Sequence, residues 1–168
     1  MEQLRTGLDE PLAELEAILR DELAAYTHLV NRLPFKLALI KKNRTEQLGR
    51  LLTQEASEMR ALDALELRRC EVSGAIASHF QAPVQTLNEL LPLLSPAWRK
   101  RLAPLGDDLR LKVADLQAGN HTCRELLRLS IDYATYTLDV IAQAATPDGL
   151  VYDGSVAQAP SLLLDWRA

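Results

Sequence analysis

The side chains of this chain most able to do chemistry are three histidines, two cysteines and two basic clusters. His28, His79 and His121 are scattered, and the residues three places before them are Ala25, Ile76 and Ala118. The Glu-x-x-His pair with which a helical bundle holds a di-iron centre is therefore absent. There is no CxxC, no HExxH and no glycine-rich phosphate loop, and the Cys and His spacings match no zinc site. His121 and Cys123 stand two apart in a helical pattern, so they point to different sides and do not form a nucleophile pair. Cys70 and Cys123 both lie in helical patterns, which predicts two buried, reduced thiols acting as small hydrophobes. The basic clusters are Lys41-Lys42-Arg44 and Trp98-Arg99-Lys100-Arg101. The second joins an aromatic to cations, as single-strand binders do. It is one cluster in a chain of net charge −4, however, and reads as a solvated helix face, with no nucleic-acid partner. The sequence thus predicts no enzyme: no catalytic residues, no metal and no cofactor.

What remains is a problem of surfaces. The 168 residues are 48% apolar but only 5% aromatic, with abundant Leu and Ala and seven glycines, a helical composition. No run of 18 apolar residues occurs, so no stable membrane insertion is expected. Met1 to Arg5 lacks the basic-then-apolar layout of a signal peptide, and a cytoplasmic location is expected.

Prolines at 11, 34, 83, 92, 96, 104, 147 and 160 divide the chain. The spacing predicts a first helix over Pro11–Asn31, capped by Asp9, and a second over Phe35–Phe80. The apolar line of the second steps in threes and fours and is interrupted by Arg44, Glu55 and Arg69. These three are expected at the edge of the seam, with their charges in water. A short helix follows over Val84–Leu91. Ser95-Pro96 reads as an N-cap and first-turn proline of a helix that Pro104 interrupts. The final helix runs from Asp107 to Ala145. The expected fold is all-α: an elongated antiparallel helical bundle or coiled coil with two long helices, a shorter N-terminal helix and a short connecting helix. Residues 1–145 form the bundle domain, and 146–168 an irregular C-terminal tail that nonetheless carries Tyr152, Leu162, Leu163, Leu164 and Trp166.

The final helix is apolar on two sides. At about 100° per residue, Leu127, Ile131, Ala134, Leu138, Ile141 and Ala145 fall within roughly 40° of one line. Leu126, Leu129, Tyr133, Tyr136 and Val140 form a second stripe about 140° away. One stripe is expected to pack on the first two helices, and the other needs a cover from this chain, a twin subunit or a partner. Asn120, on the early seam of this helix, reads either as a register-setting polar residue or as a hydrogen-bonding group for a partner helix.

The order of parts and two short patterns resemble the FlgN family of flagellar export chaperones. The family's final helix carries a pattern like Leu-Asn-x-x-Asn-x-x-Leu-Leu, which here reads Gly119-Asn120-His121-Thr122-Cys123-Arg124-Glu125-Leu126-Leu127, followed downstream by Tyr152-Asp153-Gly154. Asn120 keeps the first amide, and Cys123 replaces the second. The resemblance covers about residues 10 to 155. It implies a chaperone that binds the hook-associated junction proteins FlgK and FlgL, keeps them from associating early, and delivers them to the export gate and its ATPase complex. Under that reading Asn120, Leu126, Leu129, Tyr133, Tyr136 and Val140 are cargo-binding candidates. Tyr152, Leu162, Leu163, Leu164 and Trp166 would cover the groove or dock to the export apparatus. The competing reading is a structural or regulatory homodimeric coiled-coil bundle, with the second stripe buried against a twin.

Overall fold

The computed structural model describes residues 3–80 and 86–145. They form α1 (Gln3–Lys41), α2 (Thr45–Phe80), α3 (Leu87–Leu90), a 3-10 turn (Leu91–Leu93) and α4 (Pro96–Ala145), with no strand among the described residues. The all-α expectation is met. The chain divides into two compact units, residues 1–130 and 131–168, of which the first contains the helical bundle.

The break between the first two helices is not where the sequence suggested. Pro34 lies inside α1, and the turn falls at residues 42–44. A proline within a helix frees the carbonyl four residues back, at a cost that water can offset. Pro34 is exposed. The stop signal is Asn43, which adopts a left-handed φ of 51°. The Asn43 N–H donates to the Ile40 carbonyl at 3.0 Å and the Arg44 N–H to the Leu39 carbonyl at 2.9 Å. That pair of bonds is a Schellman closure, and asparagine is the side-chain-bearing residue that best tolerates its left-handed position. Leu37 and Ile40 therefore belong to α1. Pro104 likewise sits exposed inside α4 and does not interrupt it.

Within the first unit, α1 runs antiparallel to α2, as the pairs Glu14–Arg68, Arg32–Glu58 and Lys36–Glu55 show. It runs parallel to α4, as Glu16–Arg101 and Lys36–Asn120 show. Two apolar clusters fill the space between. Leu12, Leu15 and Leu19 of α1 join Ile76, Leu90, Leu94 and Leu102. Further along, Leu29, Leu33, Leu39 and Ile40 join Leu48, Leu51, Leu62, Leu116 and Cys123. Each leucine fully buried in this way contributes about 1.5–3 kcal/mol. Gly119 sets the approach of α4 to α1. A Cβ there would stand 2.9 Å from Leu33 Cδ2 and closer still to Leu33 Cδ1.

Between the clusters lies Glu22, 3% exposed, whose Oε1 accepts from Arg69 Nε at 3.0 Å while Oε2 is buried without a hydrogen-bond partner. Glu55 pairs at 2.5 Å with the buried Lys36. Glu55 and Arg69 are thus partners of buried charges, not edge residues. The seam pattern could not show this, because both partners lie on α1. Arg44 is exposed, in the turn. Folding moves the two α1 carboxyls in opposite directions. Burial raises the pKa of Glu22, with Arg69 offsetting part of the rise. The hydrogen bond from Arg20 lowers that of Glu16 against its burial, helped by Arg101.

The start of α4 is stapled to the rest of the bundle by the second basic cluster. Ser95 caps the helix, its Oγ accepting the Trp98 N–H at 3.5 Å, with Pro96 as first residue. The Trp98 indole donates to Asp9 Oδ1 at 2.8 Å, so Asp9 is a mid-helix acceptor and not an N-cap. Arg99 donates to the carbonyls of Leu91, Pro92 and Leu94 at 3.1–3.3 Å and so closes the 3-10 turn. Arg101 stacks 4.1 Å above the Trp98 ring and pairs with Glu16. Of the two cysteines, Cys123 is buried as expected, but Cys70 is exposed.

Two tests follow from this packing. Gly49 and Gly74 face open space in α2, whereas Gly119 does not. Gly49→Ala and Gly74→Ala should each stabilise by about 0.4–1 kcal/mol, and Gly119→Ala should destabilise by about 1–3 kcal/mol. Denaturant unfolding reads all three. A carboxyl whose pKa folding raises weakens the fold as it ionises, and one whose pKa folding lowers contributes above its unfolded pKa and loses that contribution on acidification. Glu16→Gln should therefore cost about 1–2 kcal/mol at neutral pH, shrinking as the pH falls below about 4. Glu22→Gln should show the opposite sign, neutral to stabilising at neutral pH, with its advantage fading on acidification. Parallel pH profiles for the two variants would contradict the assignment.

Candidate functional site

Among the cargo-binding candidates, Asn120 and Leu126 have internal uses. Asn120 Oδ1 accepts from Lys36 Nζ at 3.0 Å, and the same ammonium pairs with Glu55 Oε2. One cation thereby ties α1, α2 and α4 together. The register-setting role is the one the geometry shows for Asn120. The neighbouring Cys123 is buried against the same cluster, and burial raises its thiol pKa, so it remains protonated and apolar in character. Leu126 and Leu127 are half-buried against that cluster. Leu129 is exposed.

Residues 131–145 make up the described part of the second unit and are helical throughout. None of them is buried, and all but Thr137 are exposed. Tyr133 is 73% and Tyr136 67% exposed, and Val140 is exposed beside them. Ile131, Leu138 and Ile141 of the other stripe are exposed as well, Ile131 at 64%. The expectation that one stripe packs within the bundle therefore holds only as far as Leu127. Beyond Ser130 the helix presents apolar residues on both sides. Thr137 donates to the Tyr133 carbonyl at 2.8 Å, and Ser130, just before this segment, donates to that of Leu126 at 2.9 Å. The tail candidates Tyr152, Leu162, Leu163, Leu164 and Trp166 lie outside the described residues.

An array of this kind can do little covalent chemistry. Its side chains are hydrocarbon and phenol, flanked by Asp132 and Asp139 on the polar sector. Among the described residues no three His, Cys, Asp or Glu side chains are grouped so as to hold a metal ion, and no helix is long and apolar enough to cross a membrane. His28 lies 3.4 Å from Glu58, and His79 packs edge-on to Phe80, so each is engaged with a neighbour on or next to the bundle. A groove of about 1050 Å³ opens at the Leu8–Leu12, Phe80 and Trp98 end of the first unit, where Asp9 is already taken by the indole. What the 131–145 helix offers is a large apolar surface for another apolar segment, through the helix-in-groove and helix-on-helix modes that need periodic anchors and no reactive group.

The separation of roles can be tested directly. Lys36→Met strands Glu55 in a mostly buried site and should cost about 3–5 kcal/mol. Lys36→Met combined with Glu55→Leu should recover most of that loss. Asn120→Ala should cost about 1 kcal/mol through its single hydrogen bond. A thermal or denaturant series gives the three values, and non-additivity in the Lys36–Glu55 cycle is the expected signature.

Neither curated proteins nor solved structures yield a match to this chain. A family model described as FlgN protein matches residues 11–159, which take in all but the first turns of the bundle, the exposed helix and more than half of the segment after it. The Ser95-capped long final helix, the Asn120 pattern and this match over most of the chain lead to one conclusion: the protein belongs to the FlgN family, the flagellar export chaperones.

Proposed function

We propose that the protein acts in the cytoplasm as a chaperone for the hook-associated junction proteins, FlgK and FlgL, and that the exposed helix 131–145 is where it holds them. The observation that carries this reading is the exposure of Tyr133, Tyr136 and Val140 on a helix that buries none of its side chains. A surface of that kind left bare in a soluble chain is an aggregation liability unless something occupies it. An amphipathic helix of the cargo, itself prone to self-associate, is the natural complement. Tyrosines suit the role of anchors, because each buries a large ring while its hydroxyl stays hydrogen-bonded. Delivery to the export gate and ATPase complex then requires only that the segment be released, with no step of catalysis by this chain.

Tyr133→Ser combined with Tyr136→Ser should weaken binding of a junction protein at least about a hundredfold, which corresponds to roughly 3 kcal/mol. Both side chains are exposed, so the substitutions should leave stability within about 0.5 kcal/mol and the helical circular dichroism unchanged. Isothermal titration with the purified junction proteins reads the first, and denaturant unfolding the second. Unchanged affinity would remove the assignment of this surface. A mass measurement in solution separates the competing homodimer: the chaperone reading requires a complex with the junction protein, whereas a tight dimer indifferent to junction proteins contradicts it.

A further inference from the structure

The basic cluster at the end of α1 has no part in the packing of the bundle. Elsewhere the cations are in use: Arg32, Arg68, Arg69 and Arg101 reach carboxylates on other helices, and Arg99 holds three carbonyls. Lys41, Lys42 and Arg44 are exposed, and among the described residues no carboxylate pairs with them. The same holds for Arg124 and Arg128 of α4. These two stand four apart on one helix, a like-charge spacing that is itself destabilising.

The two groups meet at one end of the first unit. Lys36 of α1 bonds Asn120 of α4 at 3.0 Å, and the two helices run parallel, so residues beyond this pair advance in the same direction. At about 1.5 Å per residue, Lys41 lies roughly 7.5 Å past that level and Arg124 roughly 6 Å. Arg128 follows one turn later, and Lys42 and Arg44 stand in the turn between α1 and α2. Axial offsets of this size are comparable to the Debye length of about 8–10 Å, so the fields of the five overlap. With Arg50, residues 41–50 and 120–130 hold six cations against two carboxylates, Glu46 and Glu125, in a chain of net charge −4. Glu46 is already paired with Arg50 at 2.5 Å. The rest of the chain is therefore more acidic than the whole.

The extent of the patch selects its partner. It spans about two helical turns, enough for a few carboxylates on one face of a helix. Arg124 and Arg128 present planar guanidinium forks, which take carboxylates through two parallel hydrogen bonds. An extended polyanion would run on past the patch onto the acidic remainder of the chain. Nor does any Phe, Tyr or Trp occur in residues 36–50 or 116–130 on which bases could stack.

We propose that the end of the bundle formed by Lys41, Lys42, Arg44, Arg124 and Arg128 docks an acidic helical segment of a partner protein. The contact stands apart from the cargo surface on 131–145. Charge complementarity of this kind steers encounter and fixes orientation, and salt weakens it.

A labelled synthetic peptide built from glutamate and alanine probes the full-length chain by fluorescence anisotropy, with no large apolar side chain to engage the 131–145 helix. It should bind at about 0.1 M salt and weaken at least about tenfold at 0.5 M, and its glutamine analogue should not bind. Arg124→Glu combined with Arg128→Glu should weaken binding at least about tenfold, and Lys41→Glu combined with Lys42→Glu, on the other helix, should do the same. Arg60→Glu combined with Lys100→Glu makes the same change in net charge at two other exposed cations, and should leave affinity within about twofold. Helical circular dichroism checks the fold of each variant, and if one basic pair fails that check the other decides. Absence of peptide binding, or an equal loss in the Arg60–Lys100 control, overturns the assignment. So does tighter binding of oligothymidylate, or of vesicles containing an anionic lipid, that the same basic-pair substitutions abolish, since it gives this end to nucleic acid or to a membrane surface.

Discussion

Three charges buried on one helix organise this bundle. Glu16, Glu22 and Lys36 of α1 are each about 95% or more removed from solvent, and each finds its counter-charge on another helix. Glu16 reaches Arg101 of α4, Glu22 reaches Arg69 of α2, and Lys36 reaches Glu55 of α2 together with Asn120 of α4. Ion pairs of this kind stabilise little beyond what apolar residues of the same size would, because desolvation offsets most of the attraction. Their effect is on alternatives. The leucine seams repeat in threes and fours, so a shift of one heptad along any helix would still bury leucines. The same shift would leave Glu22 or Lys36 in an apolar layer without a partner, at several kcal/mol each. One register survives, and with it the position of Cys123, Leu126 and Leu127, the last side chains of α4 that the core cluster engages.

The same logic explains why the end of α4 differs from its start. As far as Leu127 the final helix has partners on α1 and α2. From residue 131 to 145 no side chain is buried, and neither of the two apolar stripes is interrupted by a charge that would commit it to a partner of fixed register. An isolated helix of about fifteen residues is marginal in water. Propagation from an already formed helix removes the nucleation cost, so the segment needs only modest propensity, which its Ala, Leu and Gln content supplies. A surface held in that way is ordered enough to present anchors at helical spacing, yet it is not tied to a single complement.

Much of this was legible in the residues and some was not, for reasons that can be named. The Ser95-Pro96 start of α4 and the two-sided apolar pattern of its end follow from local chemistry, and the structure shows both. The prolines misled because their cost depends on exposure: Pro34 and Pro104 sit on exposed faces where water can offset a freed carbonyl. The true turn was silent because Lys42-Asn43-Arg44 contains no glycine or proline, and only Asn43 among them can take the left-handed position cheaply. Glu55 and Arg69 looked peripheral because a seam counted along one helix says nothing of charges on the next. The Trp98–Arg101 cluster resembled a binding patch because its acceptors, Asp9 and Glu16, lie about ninety residues earlier.

The energetics of the exposed helix limit what can hold it. Burying Tyr133, Tyr136 and Val140 would give a gross gain of about 5–9 kcal/mol at 1.5–3 kcal/mol per side chain. Association into a complex loses about 4–15 kcal/mol of translational and rotational freedom. One stripe against one partner helix is thus close to balance, and yields at most a weak complex. A separate partner must engage Ile131, Leu138 and Ile141 on the other side as well, doubling the gross gain. The exposure of both stripes along 131–145 matches that requirement: a cargo segment that wraps the helix binds firmly, while one that touches a single side does not. Selectivity between a committed cargo and a chance apolar helix then comes from the number of sides engaged, without any polar recognition group on the helix itself.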